Sequence, residues 1–280
     1  MVRTPLRSAG WCLALLLAAS PVALAAQTIR PTAGFTTNTL ARNDDGSTAA
    51  VPLGWSYNFF GITGNSVFVN NNGNITFDSG LSDFTPEALN NRRIIAPFWA
   101  DVDTRPLTSG ITTYGTGTLD GRNAFYVNWP GVGYYNQHAD KLNTFQLFLI
   151  DRNDTGVGNF DFEFNYGSIQ WDAGDLELGA GSAGRGAQPG ADCARAGYSN
   201  GSGVVVELPG SGVCGALVDG GSNALSVLGR AAFQVRAGQV QQEPPTGGPG
   251  GSVVPEPSTY VLMATGLLGL VGVARSRRRA

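Results

Sequence analysis

Apolar and polar residues alternate with a period of two over much of the chain between residues 28 and 240. The clearest case is the segment 159–166, where aromatic residues occupy every second position: Phe160, Phe162, Phe164 and Tyr166. Successive side chains of a strand point to opposite faces, so this segment is predicted to be a strand with an aromatic core face and a half-solvated polar face. Helical periodicity is almost absent from the same region.

Turn-forming residues divide this region into short strands. Residues 66–70 and 74–77 flank Asn71-Asn72-Gly73, and an Asn-Gly pair favours the positive φ of a tight turn, so a hairpin is predicted here. Further strands are predicted at 110–114, 124–129, 144–150, 203–207 and 231–236, and a glycine-rich surface loop at 179–192. Short strands with this punctuation, in a chain with 40 glycines, predict an all-β fold, an antiparallel β-sandwich.

The first 26 residues have the layout of a secretory signal peptide. Arg3 and Arg7 precede an apolar run at 11–19, and small residues at 23–26 follow it. A charged start, a short apolar core and an Ala-x-Ala exit fit the export machinery, so signal peptidase is an expected partner. The mature chain is predicted to begin near Ala26 or Gln27.

The C-terminal residues combine a short apolar segment with an arginine cluster. Residues 260–274 carry no charge, and the cluster consists of Arg275, Arg277, Arg278 and Arg279. Two prolines end any upstream helix and Ser258 is a good N-cap, so a single membrane helix is predicted at 258–274. At ~1.5 Å per residue its uncharged part reaches roughly 22 Å, so it spans the ~30 Å hydrocarbon core only if the bilayer thins. The arginines are expected on the cytoplasmic side of this transient insertion.

Residues 255–280 resemble the PEP-CTERM sorting signal of Gram-negative bacteria. Pro255, Glu256 and Pro257, a short apolar helix and terminal arginines occur in the order and spacing of that signal. The resemblance implies recognition by a membrane-embedded exosortase, cleavage near the motif, and release or attachment at the cell surface. An ordinary tail anchor is the alternative interpretation.

Length and charge restrict the class of the remaining domain. Residues 27–238 are long enough for one β domain, and the Pro-, Gly- and Gln-rich segment 239–254 is predicted to be a linker. The span 27–254 holds 20 acidic and 12 basic side chains, a net charge near −8. Nucleic acid is not an expected partner, because phosphate binding depends on a basic patch.

Two cysteines are expected in the mature protein, because Cys12 is removed with the predicted signal peptide. An exported chain meets an oxidising compartment, where Cys193 and Cys214 most simply form a disulfide. A catalytic cysteine is the alternative, but it needs a base, and His138 is the only histidine in the sequence.

Short motifs between about residues 43 and 235 follow one another in a recognisable order. They are NDDG at 43–46, VPLG at 51–54, FFG at 59–61, VFVNNNGNITF at 67–77, IIAPFWADVDT at 94–104, LNTFQ at 142–146 and FNYG at 164–167, with Ile169 and Trp171. This stretch resembles the NIDO domain, an extracellular module of nidogen and of mucin-like and tectorin-like surface proteins. The resemblance implies an adhesion or matrix role. A specific animal partner such as laminin or collagen is not carried over, because no epidermal-growth-factor-like or mucin-type module accompanies the motifs in this sequence.

Asp101 and Asp103 are the predicted metal ligands. They stand one residue apart, so in a strand they share a face, and in a loop they can converge on a cation. Calcium is the predicted cation. It takes about six to eight oxygens, so Asp151 and Asp154 are predicted to supply further ligands. The alternative is that Asp101 and Asp103 cap turns at a strand end.

An aromatic stretch around residue 134 offers a carbohydrate-binding hypothesis. Trp129, Tyr134 and Tyr135 are predicted to stack on sugar faces while Asn136 binds hydroxyl groups; in the alternative, Trp129 is core and the tyrosines cover it. His138 is interpreted as a solvated loop residue. The sequence singles out no carboxylate pair, nucleophilic triad, phosphate loop or zinc spacing, so no enzyme is predicted.

These features predict an exported, exosortase-sorted surface or matrix protein. Its expected role is cell–matrix adhesion or biofilm association, with an exopolysaccharide or a surface protein as ligand. The alternatives are a secreted hydrolase of matrix polymers and a self-assembling matrix component.

Overall fold

The computed structural model describes residues 29–84, 89, 92–178 and 192–242. The predicted signal peptide 1–26, nearly all of the predicted loop 179–192, and the tail 255–280 with its helix 258–274 lie outside these residues. Within the described part of the chain, no helix combines the length and the apolar character that crossing a membrane requires.

The described residues form short strands almost throughout. The strands are β1 (Asn38–Thr39), β2 (Val51–Phe59), β3 (Ile62–Asn70), β4 (Asn74–Thr76), β5 (Arg93–Trp99), β6 (Val102–Asp103), β7 (Thr113–Leu119), β8 (Arg122–Tyr134), β9 (His138–Asp151), β10 (Phe160–Tyr166), β11 (Arg195–Asn200), β12 (Val205–Glu207), β13 (Arg230–Arg236) and β14 (Gln239–Gln242). Two four-residue helices, α1 (Asp175–Leu178) and α2 (Leu225–Leu228), and a 3-10 turn at Asn153–Thr155 complete the described elements.

The strands are arranged in two antiparallel sheets. The larger sheet has the order β1-β7-β8-β9-β10-β13-β14, with β6 paired to β8. The smaller sheet has the order β12-β11-β5-β4-β3-β2. The prediction of an all-β, antiparallel fold is confirmed.

One hydrophobic cluster joins the two sheets. Phe59 of the smaller sheet lies 6.1 Å from Phe160 of the larger one, measured between ring centroids. Phe98 and Phe145 make a second contact between the sheets at 5.3 Å. Because these side chains belong to the same buried cluster, the core lies between the sheets.

The predicted alternation of β10 is confirmed on its core face, where all four aromatic side chains are fully buried. The other face is not half-solvated as predicted, because Glu163 and Asn165 are also buried. The N-terminal segment lies across this outer face: the Arg30 guanidinium donates to both carboxylate oxygens of Glu163 at 2.7 and 2.9 Å. Phe35 of the same segment packs on Tyr126, with ring centroids 5.4 Å apart.

Most predicted strands fall inside observed ones, with shifted ends. The predicted hairpin is confirmed as β3 and β4, with Asn70 opposite Asn74. The strand predicted at 110–114 instead begins at Thr113. The linker predicted from residue 239 begins as β14, because a turn at Ala237 and Gly238, both with positive φ, returns the chain to pair with β13.

The disulfide predicted between Cys193 and Cys214 is confirmed, with their Cα atoms 5.2 Å apart. It closes a segment that contains β11 and β12 at one edge of the smaller sheet.

Candidate functional site

Three carboxylates converge beside the turn that joins β3 to β4. Asp44 and Asp45 precede β2, and Asp101 lies between β5 and β6. One oxygen from each lies within 4.8 Å of the others, an arrangement that could hold a metal ion. Asp101 is buried, whereas Asp44 and Asp45 are half-buried, so the cluster opens to solvent on one side.

Two buried asparagines of the β3–β4 turn position this acidic cluster. The Asn71 side-chain amide donates to the backbone carbonyl of Asp44. The Asn72 amide donates to Asp45 Oδ1 at 2.9 Å, and its own oxygen accepts from the Val102 N–H at 3.0 Å. The turn therefore ties the loop before β2 to the start of β6, on either side of the carboxylates.

The predicted pair of Asp101 and Asp103 is divided by the fold. Asp103 accepts from Nε and Nη2 of Arg105 and, at 2.8 Å, from the backbone N–H of Gln137. Its carboxylate is thus neutralised by a neighbouring arginine, and Asp44 and Asp45 stand beside Asp101 in its place. Arg105 also reaches Asp44 at 2.9 Å, which limits the negative charge of the cluster.

Asp151 and Asp154, predicted as added ligands, lie in a different place. Both line a polar surface pocket together with Asp120 and Arg122. Asp154 is paired with Arg152 at 3.1 Å, and this ion pair lowers the pKa of its carboxyl.

The electrostatics of the acidic cluster favour a positive ligand. Partial burial raises the pKa of Asp45, and the nearby Asp103 and Asp83 carboxylates raise it further against the opposing effects of Asn72 and Arg105. A cation bound between these carboxylates would offset the energetic cost of burying their charge and would reduce the repulsion between them. The donors are all oxygen, the type that calcium prefers, although three carboxylates fill only part of its shell.

The residues predicted to bind carbohydrate are mostly inside the protein. Trp129 is fully buried, stacks on Phe145 at 4.9 Å and donates its indole N–H to the Asn71 carbonyl at 3.0 Å. Tyr134 is buried as well, and burial together with its hydrogen bond to Asp140 raises its hydroxyl pKa. Only half-buried Tyr135 and exposed Asn136 of that set can be reached from solvent.

His138 lies in a strand rather than in the predicted loop. It is the first residue of β9, stacks on Tyr134 with ring centroids 4.8 Å apart, and pairs through Nε2 with Asp175 Oδ2 at 2.8 Å. The stretch that looked like a polar loop is the tight end of the β8–β9 hairpin, where Tyr134 is opposite His138.

A family model described as NIDO related matches residues 22–188, more than half of the chain. This chain belongs to the NIDO-related family. Alpha-tectorin of Mus musculus is 32% identical over 217 residues, which cover 69% of this chain and 10% of the relative. Nidogen of Drosophila melanogaster is 25% identical over 158 residues, which cover 47% of this chain and 11% of the relative. The NIDO chain thus spans about a tenth of the length of these curated relatives, and no solved structure matches it.

A second family model, the PEP-CTERM protein-sorting motif, matches residues 253–279. The match contains the Pro255-Glu256-Pro257 motif and all four terminal arginines. This NIDO protein is therefore exported and is a cell-surface or extracellular protein, and its sorting motif implies processing by an exosortase.

Sequence reasoning singled out Asp101 as a candidate ligand but missed Asp44 and Asp45 as its neighbours in space. Both belong to the NDDG segment that carries part of the NIDO resemblance, so a signal was present in the sequence. The sequence could not assign this segment to a cation, because the buried Asn72 side chain that bonds both Asp45 and the Val102 N–H is distant from each of them along the chain.

Calcium is expected to raise the melting temperature of the processed protein, and a chelator to lower it again. A ligand at 100 times its Kd stabilises a folded protein by about 2.7 kcal/mol. Asp45→Asn should shrink the calcium-induced shift in a thermal melt, whereas the matched change Asp154→Asn, at an acid outside the cluster, should leave it intact. Identical melts in calcium and in chelator would show that the cluster does not bind calcium.

Proposed function

We propose that this NIDO protein is a non-enzymatic component of the cell surface or extracellular matrix that acts in adhesion between cells and exopolysaccharide. The observation that carries the proposal is the combination, in one chain, of a NIDO-related domain and a PEP-CTERM motif. An extracellular module of this family placed at the surface by a sorting signal is suited to hold surface and matrix components together.

The two ends of the chain have separate tasks in this proposal. Signal peptidase removes residues 1–26 during export, and the segment 258–274 then holds the protein in the membrane while the arginines stay in the cytoplasm. Exosortase cleaves near Pro255-Glu256-Pro257 and leaves residues 27–254 outside the cell. The acidic domain, with a net charge near −8, stays soluble there and does not bind anionic polymers through bulk charge.

The disulfide counts against hydrolysis by a cysteine nucleophile, because Cys193 and Cys214 are bonded to each other and neither offers a thiol that a base could activate. His138, the single histidine of the sequence, pairs with Asp175 of α1 and stacks on Tyr134. Activity screening of the processed protein on matrix polymers tests the alternative of a secreted hydrolase, and light scattering against protein concentration tests self-assembly.

Glu256→Ala is expected to block processing, so that the protein accumulates in the cell with its C-terminal tail attached. The motif residue is lost while the apolar segment and the arginines stay unchanged. Intact mass of the protein from cells, surface and medium reports the cleavage, and cell aggregation and attachment report the function. The matched change Glu243→Ala, outside the matched motif, should alter neither.

Two results would contradict parts of this proposal. Normal cleavage of the Glu256→Ala protein would show that this motif residue is not required for processing. A deletion strain that aggregates and attaches like its parent would remove the adhesion role, whatever the processing result.

A further inference from the structure

A groove lies between one side of the larger sheet and the segment that begins β2 of the smaller sheet. On this side of the larger sheet β1 is the edge strand and β7 lies next to it. The opposite wall is the segment 48–52, which includes the first residues of β2, the edge strand of the smaller sheet. The groove has a volume of about 370 Å³. It is therefore large enough for part of an extended ligand.

The register shows which side of the larger sheet forms the groove floor. Tyr114 is opposite Val127, and Thr116 is opposite Phe125, and both partners belong to the core cluster. Directly opposed residues of antiparallel strands share a face, so Tyr114 and Thr116 lie on the core-facing side. Asn38, opposite Tyr114, continues this face onto β1.

The smaller sheet does not cover the floor at this edge. Asn38 is exposed, and Tyr114 and Thr116 remain half-buried although they lie on the core-facing side. Phe125 of β8 lies beside them on the same face, fully buried, with its ring centroid 6.4 Å from that of Tyr114. The floor thus offers one aromatic ring with hydroxyl and amide groups beside it.

The groove carries no charge in a domain that is otherwise acidic. Among the described residues that line it, none is Asp, Glu, Lys, Arg or His. The polar pocket beside Asp151 is lined by three aspartates and an arginine, and the reachable Tyr135 at the hairpin end lies 5.7 Å from the Arg105 guanidinium. A cationic polymer would meet opposite charge at the aspartates of that pocket, and an anionic polymer would meet it at Arg105 near the hairpin end, but neither would meet opposite charge in the groove.

We propose that this groove binds an uncharged polysaccharide. The Tyr114 ring offers an apolar face to the C–H side of a sugar, and Thr116 and Asn38 offer a hydroxyl and an amide group to its hydroxyls. Side chains two residues apart along β7 stand roughly 6.7 Å from each other, so Tyr114 and Thr116 can contact different parts of an extended ligand. This inference rests on the proposed exopolysaccharide association and names the class of polymer and its place of binding.

The test compares two exposed asparagines in the full processed protein. Binding to three neutral polymers, dextran, laminarin and galactomannan, and to the polyanion alginate is measured by affinity electrophoresis. Asn38→Arg places a long cationic side chain in the groove and is expected to weaken binding to a neutral polymer at least tenfold. Asn136→Arg makes the same change at the hairpin end and should alter binding less than twofold. Thermal melts confirm that each variant is folded. Tyr114→Phe, which keeps the ring that packs on the sugar, is expected to alter binding less than twofold, whereas Tyr114→Ala, which removes the ring, should weaken it.

Each other outcome overturns the inference. Loss of binding with Asn136→Arg but not with Asn38→Arg moves the site to the hairpin end. Retention by alginate alone rejects an uncharged ligand. Binding to none of the polymers also rejects the groove, and the aggregation assay of the deletion strain then reports separately whether the proposed adhesion role stands.

Discussion

Replacing Gly73 by alanine is expected to lower the free energy of unfolding by about 3 to 5 kcal/mol. Gly73 has φ of +75°, and a Cβ added there would lie 1.7 Å from the carbonyl oxygen of Phe98. The turn and β5 would have to separate, because backbone atoms on both sides of the contact cannot rotate away. Their hydrogen bond, from the Phe98 N–H to the Gly73 carbonyl at 3.3 Å, would be lost with that movement.

Gly121→Ala is the matched control for this prediction. Gly121 has φ of +78°, nearly the same backbone strain, but a Cβ there meets no atom within 4 Å. Its cost is therefore the left-handed conformation alone, about 1 kcal/mol. Urea unfolding of both processed variants measures the difference, and equal midpoints would show that the turn can move away from β5 without loss.

The sequence-based predictions succeeded where the signal is local. The alternation in 159–166 identified the core face of β10, because four aromatic residues two apart can be buried together only in a strand. The Asn-Gly pair located the β3–β4 turn, since Gly73 takes a positive φ there. Both conclusions need only neighbours along the chain.

The predictions failed where a distant segment changes the environment of a residue. Glu163 looked solvated, but Arg30, 133 residues earlier in the chain, lies over it. Gln146 fixes this segment by accepting the Arg30 N–H and donating to the Arg30 carbonyl, both at 3.1 Å. No local pattern around Glu163 reports that another segment covers the outer face of its sheet.

The candidate site also contains contacts that are local in sequence and contacts that are distant, and only the local ones could be predicted. Asp103 is followed two residues later by Arg105, a nearby partner that the sequence could have indicated. The asparagines before Gly73 were interpreted only as turn formers, yet their buried side chains hold Asp44 and Asp45 beside Asp101. Their second role depends on contacts across about 30 residues on either side, which spacing alone does not encode.

Removing the disulfide by the double change Cys193→Ala and Cys214→Ala is expected to lower the free energy of unfolding by roughly 3 kcal/mol. The two cysteines are 21 residues apart, and opening this loop gives the unfolded chain more conformations. Local contacts secure both ends of the loop in the folded protein: Ala194 donates to the Asp172 carbonyl at 2.8 Å, and Gly215 donates to the Asp172 carboxylate at 2.5 Å. The folded structure should therefore survive without the bond.

The disulfide is thus expected to stabilise the protein by restricting the unfolded chain, while the folded structure stays the same without it. The circular dichroism spectrum of the double variant should match that of the parent at low temperature, while its melting temperature falls by about 6 to 12 °C. The parent treated with a reductant should melt like the variant, which serves as the control for any effect of the alanines. If the variant instead loses sheet signal before melting, the bond holds the folded edge of the smaller sheet together, and the contacts of Asp172 are not sufficient to replace it.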